Sequence, residues 1–296
     1  LFHDALVSFA ERREIIMKMK IVSDSACDIL TLDKVPFTVV PLHIIVGEQD
    51  FADDADVDVL EMQNALFLHK GKTSTTCPSP GDWVDAFEDY DVVFCTTITG
   101  GLSGSNSSAN TAKGIYEGDH PGRKVYVIDS LSTGPEITLL IQKLRDLIVA
   151  GLSHEEIYTQ ITAYQKTTHL YYSLASLDNL ARNGRVNPIL AKGIGMLGIR
   201  IVGKASDEGT LESTDKVRGD KKAIPCLIKH MANCGYTDGK VIIGHNNNYA
   251  GALLLKEAIV ESFGFDNTKD KIQVQETRAL DSYYAEPHSI LIGFEA

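Results

Sequence analysis

Between residues 19 and 166, short apolar runs rich in β-branched residues alternate with stretches of helical spacing, and this rhythm is the strongest constraint on the fold. Runs at 20–22, 92–97 and 124–128 read as strands. Segments 56–69, 106–116 and 136–150 carry apolar residues at helical intervals. Ser79 as N-cap followed by Pro80 starts one more helix, and Ser153 with Glu156 makes the capping box of another. Residues 37–46 read as one extended segment. Such alternation predicts a parallel sheet covered on both faces.

After about Lys166 the rhythm changes. A strand at 170–174 precedes a short helix at 177–182 and a turn at Asn183-Gly184. Residues 199–204 and 211–216 flank Asp207-Glu208-Gly209 as a hairpin. Helices at 222–233 and 250–263 mix with strands at 241–244, 272–276 and 290–294. The expected fold class is α/β with two domains, a parallel-sheet α/β domain at 19–166 and an α+β domain at 167–296. No long linker separates them, so they are expected to share a cleft. Residues 1–18 read as an appendage: MKMKIVSDS looks like an older start, and 1–16 is either an amphipathic extension or a gene-model artefact.

Composition excludes several classes. With 296 residues, 44% of them hydrophobic, the chain can bury two cores. A net charge of −12 argues against a broad nucleic-acid-binding face. No stretch is apolar for long enough to cross a membrane, and the first eighteen residues lack the apolar core of a signal peptide. The five cysteines (Cys27, Cys77, Cys95, Cys226, Cys234) are odd in number and contain no CxxC pair. They suit a reducing cytoplasm and indicate neither a disulfide framework nor a zinc site.

The chemistry is concentrated in two hydroxyl-rich segments. Residues 96–113, TTITGGLSGSNSSANTAK, lie between a predicted strand and a predicted helix, with no charge before Lys113. A glycine-rich loop there aims backbone N–H groups and the positive helix end at one point, and Thr99, Ser103 and Ser105 add hydroxyls. It is neither a Walker loop nor a nucleophile elbow, since Ser105 stands where the latter needs its last glycine. The segment is either an anion cradle or a tight capped turn. Thr73-Ser74-Thr75-Thr76-Cys77-Pro78-Ser79-Pro80 is the second, readable as a partner loop or as a proline-stiffened N-cap. Two strands, at 21–22 and 127–128, both run into Asp-Ser, which places Asp24 and Asp129 at helix caps, turns or the ligand-binding edge of the sheet.

DSACDI, TTCPSPGDW, GLSGSNSSA, a strand followed by Asp129-Ser130, and SLDNLARNGRV occur in an order that resembles the DegV family over about residues 19–294. The resemblance implies a bacterial protein that binds one fatty acid, in some members as the lipid-binding part of a two-part fatty acid kinase. By that resemblance the carboxylate falls to Thr75, with Thr76 beside it, and to Thr99, while Gly100 stands where the family has a serine. Arg185 matches an arginine used toward the partner or headgroup. Tyr284 occupies the register of a family histidine, with His288 nearby but out of register. A nest of hydroxyls and amides without a competing acid would hold the carboxylate, and a tunnel between the domains would hold the tail.

Other features read more plainly. His245 suits packing or capping better than a metal. Asp50, Asp53, Asp54, Asp56 and Asp58 suit a solvated loop better than a calcium site. Lys216, Arg218, Lys221 and Lys222 are either an exposed hairpin end or a dock for an acidic partner. No metal or cofactor is expected, and membrane contact would be transient. Two function classes remain: a non-catalytic carrier of a long-chain fatty acid, possible partner of a kinase, and an enzyme acting on a phosphorylated or carboxylated metabolite. The absence of a nucleophile–base pair beside the loops favours the carrier.

Overall fold

The computed structural model describes residues 17–191, 198–264 and 271–296. Residues 1–16, on which the appendage reading rests, lie outside the described residues. The first half is built from β1 (Met19–Asp24), β2 (Phe37–Val40), β3 (His43–Val46), β4 (Gln49–Ala52), α1 (Val59–Leu68), β5 (Thr73–Thr76), α2 (Pro80–Phe87), β6 (Val92–Thr97), α3 (Ser105–Asp119), β7 (Lys124–Asp129), α4 (Pro135–Val149) and α5 (His154–Tyr164). Strands β2, β1, β6 and β7 form a parallel sheet in that order. Alternate residues face opposite ways. Val22, Val93, Cys95 and Val125 pack under α2 and α3 with Trp83, Phe87, Ala109 and Tyr116, while Ile21, Phe94 and Ile128 pack against α4 and α5. The doubly covered parallel sheet is as the rhythm predicted.

The second half contains β8 (Thr168–Leu174), α6 (Asp178–Arg182), α7 (Pro188–Ala191), β9 (Ile199–Ala205), β10 (Leu211–Arg218), α8 (Asp220–Asn233), β11 (Val241–Asn246), α9 (Tyr249–Phe263), β12 (Ile272–Glu276), α10 (Ala279–Ala285) and β13 (Ser289–Glu295). Its mixed sheet runs β10-β9-β8-β13-β11-β12, parallel only between β11 and β12. The hairpin closes at Asp207-Glu208-Gly209 as expected, with Gly209 N–H donating to Ser206 O. Lys216, Arg218, Lys221 and Lys222 are exposed, and His245 is a buried packing residue beside Tyr249.

Helix α4 joins the halves. Ile137, Leu139, Leu140, Ile141 and Leu144 are all buried, an apolar surface too wide for a helix that covers one sheet. The helix packs against β1 and β6 on one side and against β8, β11 and β13 on the other. Its start lies directly on the second sheet, where a Cβ on Gly293 would come within 2.7 Å of Glu136 N. Buried Glu136 accepts from Thr168 Oγ1 at 2.7 Å, and its carboxyl pKa is raised to about 7 by burial, opposed by Ser132 and Thr168.

Three expectations are corrected. The segment 37–46 is two strands in two sheets, because Pro41 lacks the N–H needed to continue a ladder. The chain turns there, with Leu42 N–H donating to Ser25 Oγ. Residues 73–76 are a strand, not a loop: β5 pairs antiparallel with β3, which also carries β4. The acidic run is not wholly solvated either. Asp58 caps α1, but Asp53 is 0% exposed and accepts from Ala279 N and Leu280 N, capping α10 from the other half of the chain.

Candidate functional site

The C-terminal edge of the parallel sheet, β5, α10, α6 and the β9–β10 hairpin meet around a narrow cavity of about 50 Å³. Its apolar wall is Leu42, Ile98, Leu102, Leu180, Leu211 and Leu280; its polar wall is Thr75, Ser103, Thr133, Arg185, Asp281 and Tyr284. A second space of about 40 Å³ continues from Leu180, Leu211 and Tyr284 toward Leu170, Leu174 and Leu291. Thr133, Asp281 and Tyr284 line both spaces, so together they make a passage lined mainly by leucines with polar groups along one wall.

Strand periodicity decides which threonines face it. Thr73 and Thr75 point the same way and meet two consecutive tyrosines of α10: Thr73 Oγ1 lies 2.6 Å from Tyr283 OH, and Thr75 Oγ1 lies 2.7 Å from Tyr284 OH. Thr76 points to the opposite, exposed face. Burial raises the Tyr284 pKa above its usual value, so the phenol stays neutral and can donate. His288 is exposed in a turn beyond α10.

The Asn183-Gly184-Arg185 turn ties the remaining walls together. Asn183 Nδ2 donates to Tyr283 OH at 2.8 Å, and Arg185 Nε donates to Leu102 O at 3.1 Å. The Arg185 guanidinium stands 5.9 Å from the Tyr284 ring centre, within cation–π range. Thus Thr75, Tyr284 and Arg185 come together.

Thr99 and Gly100 are placed differently. Thr99 is 1% exposed, and its hydroxyl donates to Gly209 O at the hairpin tip, 2.9 Å away. Gly209 must be glycine: its φ is +75°, and a Cβ would lie 2.0 Å from Thr99 Oγ1. Gly100 N–H donates to the Asp129 carboxylate at 3.2 Å. Asp24 accepts from Ile98 N at 2.9 Å and from Ser105 Oγ at 2.6 Å. The expected acid-free nest is therefore corrected. The loop is neutral in sequence, but β1 and β7 bring Asp24 and Asp129 to it, and they take those loop donors. Burial raises the Asp24 pKa to about 7 despite those hydrogen bonds. Ser103 Oγ accepts from Ser105 N, and the residue lines the cavity.

One polar group in the wall escaped sequence reasoning. Asp281 Oδ1 accepts from Thr133 Oγ1 at 3.0 Å, and Asp28 Oδ1 accepts from Arg278 N. The other oxygens, Asp28 Oδ2 and Asp281 Oδ2, are buried beside Gly134 without a hydrogen-bond partner among the described residues. Two buried carboxyl groups side by side resist ionising together. Burial, reinforced by their mutual repulsion, holds Asp28 well above the carboxylate range, and burial pushes Asp281 up to about 7. Nothing in the local sequence of α10 signals this, because Asp28 lies in the first turn after β1.

The family model described as "Uncharacterised protein, DegV family" matches residues 18–294. A DegV domain-containing protein of Streptococcus pneumoniae is 43% identical over 283 residues, covering 94% of this chain and 99% of its own. The solved Streptococcus pneumoniae Fatty Acid Kinase B3 protein, loaded with linoleic acid, matches with a TM-score of 0.91 at 43% identity over 94% of this chain and 99% of that one. A DegV family protein from Eubacterium eligens loaded with heptadecanoic acid also gives 0.91, at 41% identity and the same coverage. A match that runs through both sheets and every loop of the cavity places the chain: it belongs to the DegV family.

Proposed function

We propose that this protein binds one long-chain fatty acid and presents its carboxylate to a partner kinase for acyl-phosphate formation, itself acting as a carrier and not an enzyme. The observation that carries the reading is the Thr75–Tyr284 hydroxyl pair in the wall of a leucine-lined passage, in a chain whose 41–43% identical structural relatives hold heptadecanoic and linoleic acid. Two neutral donors suit a carboxylate without bringing a fixed charge into the passage. In this reading Thr75, Tyr284 and Ser103 donate to the headgroup, and Arg185 stands at the rim toward headgroup or partner. Thr99 and Gly100 hold the loop in place through Gly209 and Asp129, and Thr76 makes no contact. The passage falls between the proposed domains, 19–166 and 167–296, with α4 serving both. No described helix is long and apolar enough to cross a membrane, and the five cysteines are free, which fits the proposed cytoplasmic setting.

Ligand pockets usually measure roughly 300–1,000 Å³, far more than the free space here. An acyl chain therefore enters as Leu180 and Leu211 move apart. Leu180 is the middle residue of the five-residue α6 and Leu211 the first residue of the edge strand β10, so neither sits inside the central strands. Titration of delipidated protein with palmitate or oleate tests the reading. One saturable site, weakened by Leu180→Trp, supports it; no saturable binding, or saturation only by a phosphorylated or short carboxylated metabolite, would point to the enzyme class instead.

A further inference from the structure

Away from the cavity, α8 and the hairpin bring together a cysteine, a histidine and an aspartate that lipid binding does not use. Cys226 and His230 stand one turn apart on α8 and share a face. Asp215 comes from β10, whose register against β9 shifts between Ser213 and Asp215, a device that re-aims a side chain. The ligating atoms of the three all lie within 4.8 Å of one another, and all three residues are partly buried. His230 Nε2 is 2.7 Å from Asp215 Oδ2 and 3.3 Å from Thr214 Oγ1. The Tyr171 ring stacks on the imidazole at 4.9 Å between centres, fixing its plane. The sequence argued against zinc because no CxxC or HExxH occurs; the fold assembles the ligands from a C-x-x-x-H on a helix and an aspartate on the neighbouring strand.

We propose that Asp215, Cys226 and His230 form a zinc-binding site that ties the outer strand of the hairpin to α8. Thiolate, imidazole and carboxylate in one place match zinc, whereas magnesium and calcium take oxygen ligands. Zinc ligands at about 2.0–2.3 Å from the metal stand roughly 3.3–3.8 Å apart, so Asp215 Oδ2 must open its 2.7 Å approach to His230 Nε2 by a small rotation to admit the metal, within a cluster that spans no more than 4.8 Å. Water takes the fourth position. Binding exchanges the thiol proton for the metal: the S–H bond breaks, the Zn–S bond forms, and the proton leaves to solvent.

The test uses the full chain, stripped with a chelator and titrated with cobalt(II) as a spectroscopic probe. The expected result is one equivalent of cobalt with thiolate-to-metal charge-transfer absorption, discharged by zinc. Cys226→Ser should abolish the band, and His230→Ala should weaken zinc binding by more than roughly tenfold. Cys234→Ser should change neither, because that sulfur sits 3.6 Å from Tyr171 OH, outside the cluster. Should His230→Ala unfold the chain, the nearly isosteric Cys226→Ser carries the test alone. No charge-transfer band, or a band that survives Cys226→Ser, would overturn the assignment.

Discussion

Replacing Thr75 by valine removes one hydroxyl while keeping the β-branched shape that suits β5. In the free protein the loss is small. The 2.7 Å bond to Tyr284 OH disappears, but Tyr284 lies at the cavity wall and is only partly buried. A neutral hydrogen bond of this kind contributes about 0.5–1.5 kcal/mol. In the complex the same hydroxyl faces a carboxylate, where a bond to a charged group is worth about 1.5–3 kcal/mol. Each 1.4 kcal/mol is about tenfold in Kd, so Thr75→Val should weaken fatty-acid binding roughly ten- to a hundredfold. Tyr284→Phe should act in the same direction. Because the two hydroxyls bond each other and share one ligand, the double variant should lose less than the sum of the two. Thr76→Val supplies the control, since that side chain points to the exposed face and should bind normally. The assay is equilibrium titration of delipidated protein, with thermal unfolding alongside to confirm an intact fold. Unchanged affinity in Thr75→Val, or equal losses in Thr75→Val and Thr76→Val, would refute the headgroup assignment.

Arg185→Ala should cost acyl-phosphate formation with a partner kinase more than it costs lipid binding; equal losses in both assays would make it a headgroup ligand or a strut for Leu102 O. Thr99→Val should lower thermal stability and loosen the hairpin tip, read as faster amide exchange at Gly209; a large loss of affinity with the tip still protected would restore Thr99 as a direct ligand. Gly134→Ala forces a side chain onto φ +54°, with its Cβ 2.5 Å from Asp281 Oδ2. A backbone penalty of roughly 1–3 kcal/mol plus this clash should lower the melting temperature by several degrees, and an unchanged melting curve would contradict the packing. Asp24, Glu136 and Asp281 are each raised to about 7 by burial. In the native state they hold protons that the unfolded chain has already released, so their contribution to stability falls as pH rises from about 4 to 7. Asp281→Asn should flatten that slope; a wild-type melting temperature that climbs steadily from pH 5 to 7.5 would count against it.

Much of the fold was legible because its signals are local. The parallel strands, the Ser79 and Ser153 caps and the hairpin at Gly209 follow from periodicity and turn chemistry within a few residues. Strand β5 was not, because Thr-Ser-Thr-Thr carries no apolar alternation; only pairing with β3 makes it a strand. The seven-residue α10 escaped for a related reason. Its N-terminus is capped by Asp53, more than two hundred residues away in sequence. The site divides in the same way. Family register pointed to Thr75, Tyr284 and Arg185, three residues that the fold brings together. Choosing between Thr75 and Thr76 required knowing that they lie on a strand. The partners of Thr99 and Gly100 are Gly209 and Asp129, and adjacency to those groups is a property of the folded chain alone. The repeated strand–Asp-Ser pattern did point to Asp24 and Asp129 at the sheet edge, but not to their role as acceptors for the hydroxyl loop.

The most direct measurement of the central claim is lipid extraction and mass spectrometry of the protein purified without added lipid. The account predicts a long-chain fatty acid at close to one molecule per chain, its amount falling sharply in Thr75→Val. Recovery of polar metabolites alone, or of fatty acid in the same amount from a protein whose passage is blocked by Leu180→Trp, would contradict it.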